Sequence, residues 1–273
     1  MVLDIGRALR TGLDDLRSEA GIAVVTVLVV FQLGYGVVLD SFRQRLVGLV
    51  YSDSPPGQPG IEVVRPAEMG VLSVEMSLPI LVGLALVGIV LNEVIRFWAI
   101  RRFAGGPALR ATDAGQRLRV LLAVGGGFAI VLFALQQLLP ILGLVWGLDT
   151  MSAFSQAGMV MSLLLVGVAV YLRQEIALND GSVRQTLRNS VVRFLQEPVP
   201  ILGLLVLLGV VGFAAGIPQM VTMALNGAGT VAGVPLQTAG QVVGVALMAV
   251  VQTLSIAAIT DAYLQVRTDA GGL

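Results

Sequence analysis

The sequence predicts an all-α, polytopic membrane protein with six transmembrane helices, short interfacial amphipathic helices and both termini on the cytoplasmic side (N-in/C-in). Three observations lead there. Hydrophobic residues make up 56% of the chain and charged residues 12%, with a mean hydropathy of +0.89. The apolar residues gather into six stretches, and the arginines crowd alternate connecting segments. A soluble domain carries about a quarter of its residues as charges. Half that share cannot cover a water-facing globule, so lipid is the solvent for much of the chain. The 273 residues read as a single integral membrane domain, 1–273, with room for several spans of about 20 residues each.

The stretches run over 21–39, 78–100, 120–139, 157–172, 199–217 and 242–262. Each is expected to be helical, because lipid offers backbone polar groups no partner outside the segment itself. Ahead of the first, Ile5, Leu9, Leu13 and Leu16 recur at helical spacing. Asp4, Asp14, Asp15 and Glu19 make this leader unlike the short cationic start of a signal peptide, so the first span is read as retained. Segment 52–70 is rich in proline and glycine, with one short extended piece expected at 61–64. The third stretch has room to continue past Pro140 towards Trp146, since membrane helices tolerate proline. The fourth is the shortest. Segment 222–240 is uncharged and reads as a loop or a shallow re-entrant piece.

Orientation follows from the arginines. With the N-terminus inside, fourteen of the seventeen fall on inner segments, and only Arg43, Arg45 and Arg65 fall outside. That is a positive-inside pattern repeated loop by loop.

What is missing narrows the chemistry. The chain has no Cys, no His and no Lys. Disulfides, thiolate chemistry, the commonest metal ligand and Schiff-base lysines are all removed. No cofactor is implied, and an enzyme is not expected, since no nucleophile-base pair or metal constellation has recognisable spacing. Without a basic patch, nucleic acid is not an expected partner. The lipid bilayer is one, with a protein partner or a second copy of the chain beside it. An arginine-only, cysteine-free composition fits the GC-rich genome of a halophilic archaeon.

Three segments open alike: DIGRALRTGLDDLR, PALRATDAGQRLR and SVRQTLRNSVVRFL. Each places an arginine-bearing helix before a span and a return span, a threefold repeat over 1–70, 71–173 (offset by its leading helix at 107–119) and 182–263. In the third, Val183, Leu187, Val191 and Phe194 share one helical face, while Arg184 and Arg188 stay off it. Such a helix can lie in the interface, apolar side down and guanidinium groups among the headgroups, or dock a partner. The arrangement resembles haloarchaeal multi-pass membrane proteins built from repeated amphipathic-helix-plus-hairpin units, and the resemblance implies the fold and no activity. The phrase EIALNDGSVRQTLRNSVVRFL at 175–195 is also similar to the ATPase-docking loop of ABC-type importer permeases. Glu175, Ala177, Asp180 and Gly181 fall at matching offsets, with Ile176 departing from the pattern and Pro198 coming late. A turn at Asn-Asp-Gly before a helix explains the same residues.

Ionisable groups inside spans are costly and are functional candidates by default. Asn92, Glu93 and Arg96 lie close to one face of the second span. There Glu93 can pair with Arg96, or mark a substrate or proton site. Gln32 and Gln252 sit near the middles of the first and last spans, placed for interhelical hydrogen bonds. The expected role is therefore a non-catalytic membrane component acting through partners, as a scaffold, assembly or accessory subunit. The alternative is a transporter or ABC-type permease subunit that docks an ATPase through 175–195.

Overall fold

The computed structural model describes residues 3–52, 73–105, 113–145, 169–227 and 234–270. These form eight helices and no strand: α1 (Ile5–Arg17), α2 (Glu19–Ser52), α3 (Leu78–Ala104), α4 (Ala114–Val145), α5 (Leu172–Leu178), α6 (Val183–Gln196), α7 (Pro198–Gly227) and α8 (Val234–Ala270). Five of them, α2, α3, α4, α7 and α8, are long and apolar enough to cross a membrane. Among the described residues the fold is thus all-α, with five helices suited to a membrane. Most of the fourth apolar stretch, and the extended piece expected at 61–64, lie outside the described residues.

Lipid as solvent accounts for the distribution of side chains. Val30, Val206 and Phe213 on the spans are each more than 60% exposed, whereas Glu93 is fully buried. A water-soluble fold would reverse that order.

The spans run beyond the apolar stretches that announced them. Helix α4 continues through Pro140 and α7 through Pro218. Segment 222–240 is accordingly neither wholly a loop nor a separate re-entrant piece. Residues 222–227 belong to α7 and 234–240 to α8, with 228–233 outside the described residues.

Two of the three leading helices are separate from their spans. Asp4 caps α1, its carboxylate accepting from the Arg7 amide at 2.9 Å, and extended Ser18 ends it. The turn into α2 is so tight that a Cβ on Gly21 would meet the Asp15 carbonyl oxygen at 2.1 Å. At the third, Glu197 leaves helical geometry before Pro198, as a residue preceding proline tends to. The second differs, because α4 runs unbroken from Ala114 into the span.

The faces of α1 and α6 depart from the apolar stripes read in the sequence. On α1 the buried residues are Ala8 and Gly12; Ile5 and Leu9 of the stripe pack half-buried against the core, while Leu13 is exposed. A Cβ on Gly12 would lie 3.2 Å from the Ala258 methyl and from Leu254 Cδ1, so small residues set how closely α1 lies against α8. On α6 it is the polar residues Thr186 and Ser190 that are buried. Val183, Leu187, Arg184 and Arg188 are exposed, while Phe194 packs against the core rather than joining that open stripe.

Helix α8 is the hub, packing against α1, α2, α3 and α7. The arginine-bearing segments meet at one end of the bundle. Asp4 N donates to Gln265 Oε1 at 3.0 Å and Leu3 N to Glu197 Oε2 at 2.5 Å. These contacts bring the start of the chain to the C-terminal end of α8 and the start of α7. Arg101 and Arg117 bring the end of α3 and the start of α4 to the same place, through bonds to Ala177 and Asp180. The core is concentrated here, around Leu121, Tyr171, Ile176, Ile201, Ala258 and Tyr263.

Candidate functional site

Glu93 is delivered by α3 into this end of the bundle with a side chain sealed from solvent. Its partner is Arg173, two residues into α5. Arg173 Nε lies 2.9 Å from Oε2 and Nη2 lies 2.7 Å from Oε1, a bidentate fork. The intrahelical pairing of Glu93 with Arg96 is therefore corrected: both carboxylate oxygens are taken by a cation from another helix. A planar fork satisfies a carboxylate better than a cation approaching along the same helix, where two parallel bonds are hard to align. Helix α4 completes the setting. The Arg173 guanidinium sits 6.0 Å from the centroid of the Phe128 ring. Gly125 leaves room for the acid, since a Cβ there would stand 3.0 Å from Glu93 Oε2.

Arg96 is left one turn along α3 with its Nε buried and no acceptor among the described residues. It lines a cavity of about 130 Å³ with Arg173, Gln174, Gln252 and Ser255 on the polar side and Ile100, Leu205 and Ile259 on the apolar side. Gln174 is 4% exposed, and its Oε1 has no donor among the described residues.

Beside the cavity lies a polar layer at mid-span. Gln32 Nε2 on α2 donates to Gln252 Oε1 on α8 at 2.5 Å, and Gln252 Nε2 reaches Asn92 Oδ1 on α3 at 3.4 Å. Gln32, Gln252 and Asn92 thus meet, while Glu93 pairs with Arg173 and no hydrogen bond joins it to Arg96.

A second buried carboxylate lies two residues beyond Arg173. Glu175 accepts from Asn189 Nδ2 at 2.8 Å and from the Tyr263 hydroxyl at 2.5 Å, with Arg193 Nε at 3.5 Å. Asn179 donates to the same hydroxyl, Arg193 lies over the Tyr263 ring at 4.8 Å, and Tyr171 packs edge-on against it. Asn189 and Arg193 are four apart on α6, so both turn inward from one face.

The turn after α5 is fixed by two more arginines. Arg117 binds Asp180 Oδ1 at 2.6 Å through Nη2 and the Gly181 carbonyl at 3.0 Å through Nη1. Arg101 donates to the Ala177 carbonyl at 3.1 Å, in the last turn of α5, where a cation also opposes the helix dipole. The residues that resembled an ATPase-docking loop are thus engaged by the protein itself, although the Asp180 side chain stays 48% exposed. Glu175 and Ala177 are buried, and Asp180 and Gly181 are held by Arg117.

On α1, outside the spans, burial raises the Asp15 carboxyl above its ordinary range, with further upward pushes from the Asp261 and Asp14 carboxylates. Among the described residues no group of three or more His, Cys, Asp or Glu gathers as metal ligands would.

Sequence reasoning missed Arg173, Gln174 and Tyr263 as members of this region, and read Glu175 only as part of a segment similar to a cytoplasmic docking loop. One signal was present. Arg173 and Glu175 are two apart and so fall on opposite sides of a helix. Neither can neutralise the other, and each must find its partner elsewhere.

No curated protein and no solved structure matches the chain. A domain family of unknown function, DUF7847, matches residues 3–266, which is nearly the whole of it. The chain belongs to the DUF7847 family.

Proposed function

We propose that this protein is a non-catalytic component of the cell membrane that acts through partners, as a scaffold, assembly factor or accessory subunit. The observation that carries the reading is how the carboxylates are used. Glu93 is closed off by the Arg173 fork. Glu175 is enclosed by Tyr263, Asn189 and Arg193, and Asp180 is held by Arg117. A general base or proton carrier needs a carboxylate that can reach substrate or water. Glu93 and Glu175 are sealed from both, Asp180 is half exposed but tied to Arg117, and the effect of the three is to bind α3, α4, α5, α6 and α8 into one end of the bundle.

The proposal includes six crossings with both termini cytoplasmic. Helix α4 starts at the arginine-rich end and runs away from it, yet Tyr171 and Leu172 are again in the core at that end. The sixth crossing is assigned to the apolar stretch at 157–172 of the sequence. With the N- and C-terminal helices side by side, the arginine-rich end is the cytoplasmic one by the positive-inside rule. The lysine-free, cysteine-free composition supports an archaeal, halophilic source.

The alternative, a transporter or ABC-type permease subunit, retains one observation in its favour. Arg184, Leu187 and Arg188 on α6 are exposed and available to an ATPase. Purification in mild detergent with mass spectrometry of co-eluting proteins separates the two. The scaffold reading expects a reproducible partner that is not an ATPase, and a stoichiometric ATPase would replace it with the permease. Ser54→Cys should react with an impermeant maleimide on intact cells while Arg184→Cys should not, and the reverse would overturn the orientation.

A further inference from the structure

The cavity beside Arg96 has an unbalanced charge. Its polar wall and immediate surroundings hold two guanidinium groups, Arg96 and Arg173, and one carboxylate, Glu93, already engaged by Arg173. Among the described residues one positive charge is left over. An uncompensated cation in the low-dielectric part of a membrane protein is costly, and such groups are found paired or facing a wet cavity. The wall also holds an acceptor with no donor among the described residues, Gln174 Oε1, which is buried. The requirement is therefore for one negative charge and at least one hydroxyl.

The space fits more than a bridging water. A cavity needs about 10–15 Å³ of this kind of volume to hold one water, and this one has about 130 Å³. Opposite the arginines the wall is apolar, made by Ile100, Leu205, Ile256 and Ile259. An ion with a full hydration shell would waste that surface. An oxyanion attached to an apolar body, or a partly desolvated one, would use both walls.

We propose that this cavity is a binding site for a singly charged, hydroxyl-bearing phosphate group. Arg96 is its principal charge partner, Arg173 lends the second guanidinium, and Gln174 Oε1 accepts from the hydroxyl. Two sources have this chemistry: monoanionic inorganic phosphate and the phosphoglycerol headgroup of an anionic lipid. Guanidinium donors suit either, since their planar fork matches phosphate oxygens. The site goes beyond the scaffold reading and does not depend on it.

The test uses the unmodified protein, washed extensively in neutral detergent, and follows its Tm. Inorganic phosphate and dioctanoyl phosphatidylglycerol are titrated separately. Sodium chloride at matched ionic strength and dioctanoylglycerol, which has the same chains and no phosphate, are the controls. One phosphate compound should give a saturable rise of about 5–10 °C at a hundredfold excess over Kd. A rise with phosphate alone identifies the free ion as the source, and a rise with the lipid alone identifies the headgroup. Arg96→Gln should remove the rise. Ser255→Phe, which fills the cavity and leaves every charge in place, should reduce it and guards against an Arg96 variant that fails to fold. No rise with either compound in the unmodified protein would overturn the site. So would an equal rise with dioctanoylglycerol, or a rise that survives in folded Arg96→Gln.

Discussion

Separating the two possible partners of Glu93 by a double-mutant cycle is the sharpest test of the site. Removing one member of a buried ion pair typically costs about 3–5 kcal/mol, because the other is left charged without its partner. The geometry makes the two single losses unequal. In Arg173→Gln, Glu93 loses its fork, but Arg96 is one turn away on the same helix and can swing part of the way in. The expected cost is about 2–3 kcal/mol, below the usual range for that reason. In Glu93→Gln, both Arg96 and Arg173 face the cavity with no countercharge, and the cost should reach about 4 kcal/mol. The double variant Glu93→Gln/Arg173→Gln removes the pair together and should recover about 2 kcal/mol of the summed losses, within the range for contacting residues. The corresponding cycle with Arg96→Gln should give coupling of less than about 1 kcal/mol, because no hydrogen bond joins Arg96 to Glu93. Chemical unfolding in mixed micelles, followed by far-UV circular dichroism, measures all six proteins. Coupling to Arg96 as large as coupling to Arg173, or strictly additive losses with Arg173, would refute the assignment.

Three further outcomes follow from the arginine-rich end. Gly12→Leu should push α1 off α8, since even a Cβ would stand 3.2 Å from Ala258 and Leu254. A cost of about 1–3 kcal/mol is usual for such overpacking, and faster amide hydrogen exchange confined to α1 would locate it. Asp15 sits above its unfolded value in the folded protein, so the folded state holds its proton more tightly. Its contribution is fully present below the ordinary carboxylate range and is lost as pH rises through the raised value, so Asp15→Asn should raise Tm near neutral pH and flatten that fall. An unchanged pH profile would show that Asp15 does not titrate against Asp261. Leu187→Asp should loosen α6 in nanodiscs, because Leu187 is exposed and the change puts a charge where acyl chains would cover it. Amide hydrogen exchange in α6 that is unchanged by the substitution would mean that α6 does not rest on the bilayer.

The spans were legible because hydropathy is a local property, summed over a window no longer than the helix itself. Gln32 and Gln252 could be placed at similar depth for the same reason, and they do face each other. The partner of Glu93 was not legible. Arg173 is eighty residues away in sequence, at the end of an apolar stretch, and spacing rules see only neighbours within a turn or so. Arg96 at three residues was the sole candidate such a rule could offer. The inward face of α1 was hidden for a different reason. A stripe of large apolar residues marks a helix that meets a core or lipid. Close contact with α8 is made instead by Ala8 and Gly12, which scarcely register in an apolar pattern. Helix α6 inverts the usual reading altogether. Its polar residues Thr186, Asn189, Ser190 and Arg193 turn towards the protein because a buried carboxylate, Glu175, is waiting there.

The central claim is that the Glu93–Arg173 pair is structural and ties α3 to α5 at this end of the bundle. It is tested most directly by complementing a deletion strain with Glu93→Gln/Arg173→Gln, alongside measurement of the folded amount in the membrane. If the pair is structural, complementation should track the amount of folded protein in all three variants, and the double variant should lose less than the two single losses summed. A double variant that is folded and present at the normal level yet fails to complement would contradict the claim, because the charges would then be needed for something other than each other.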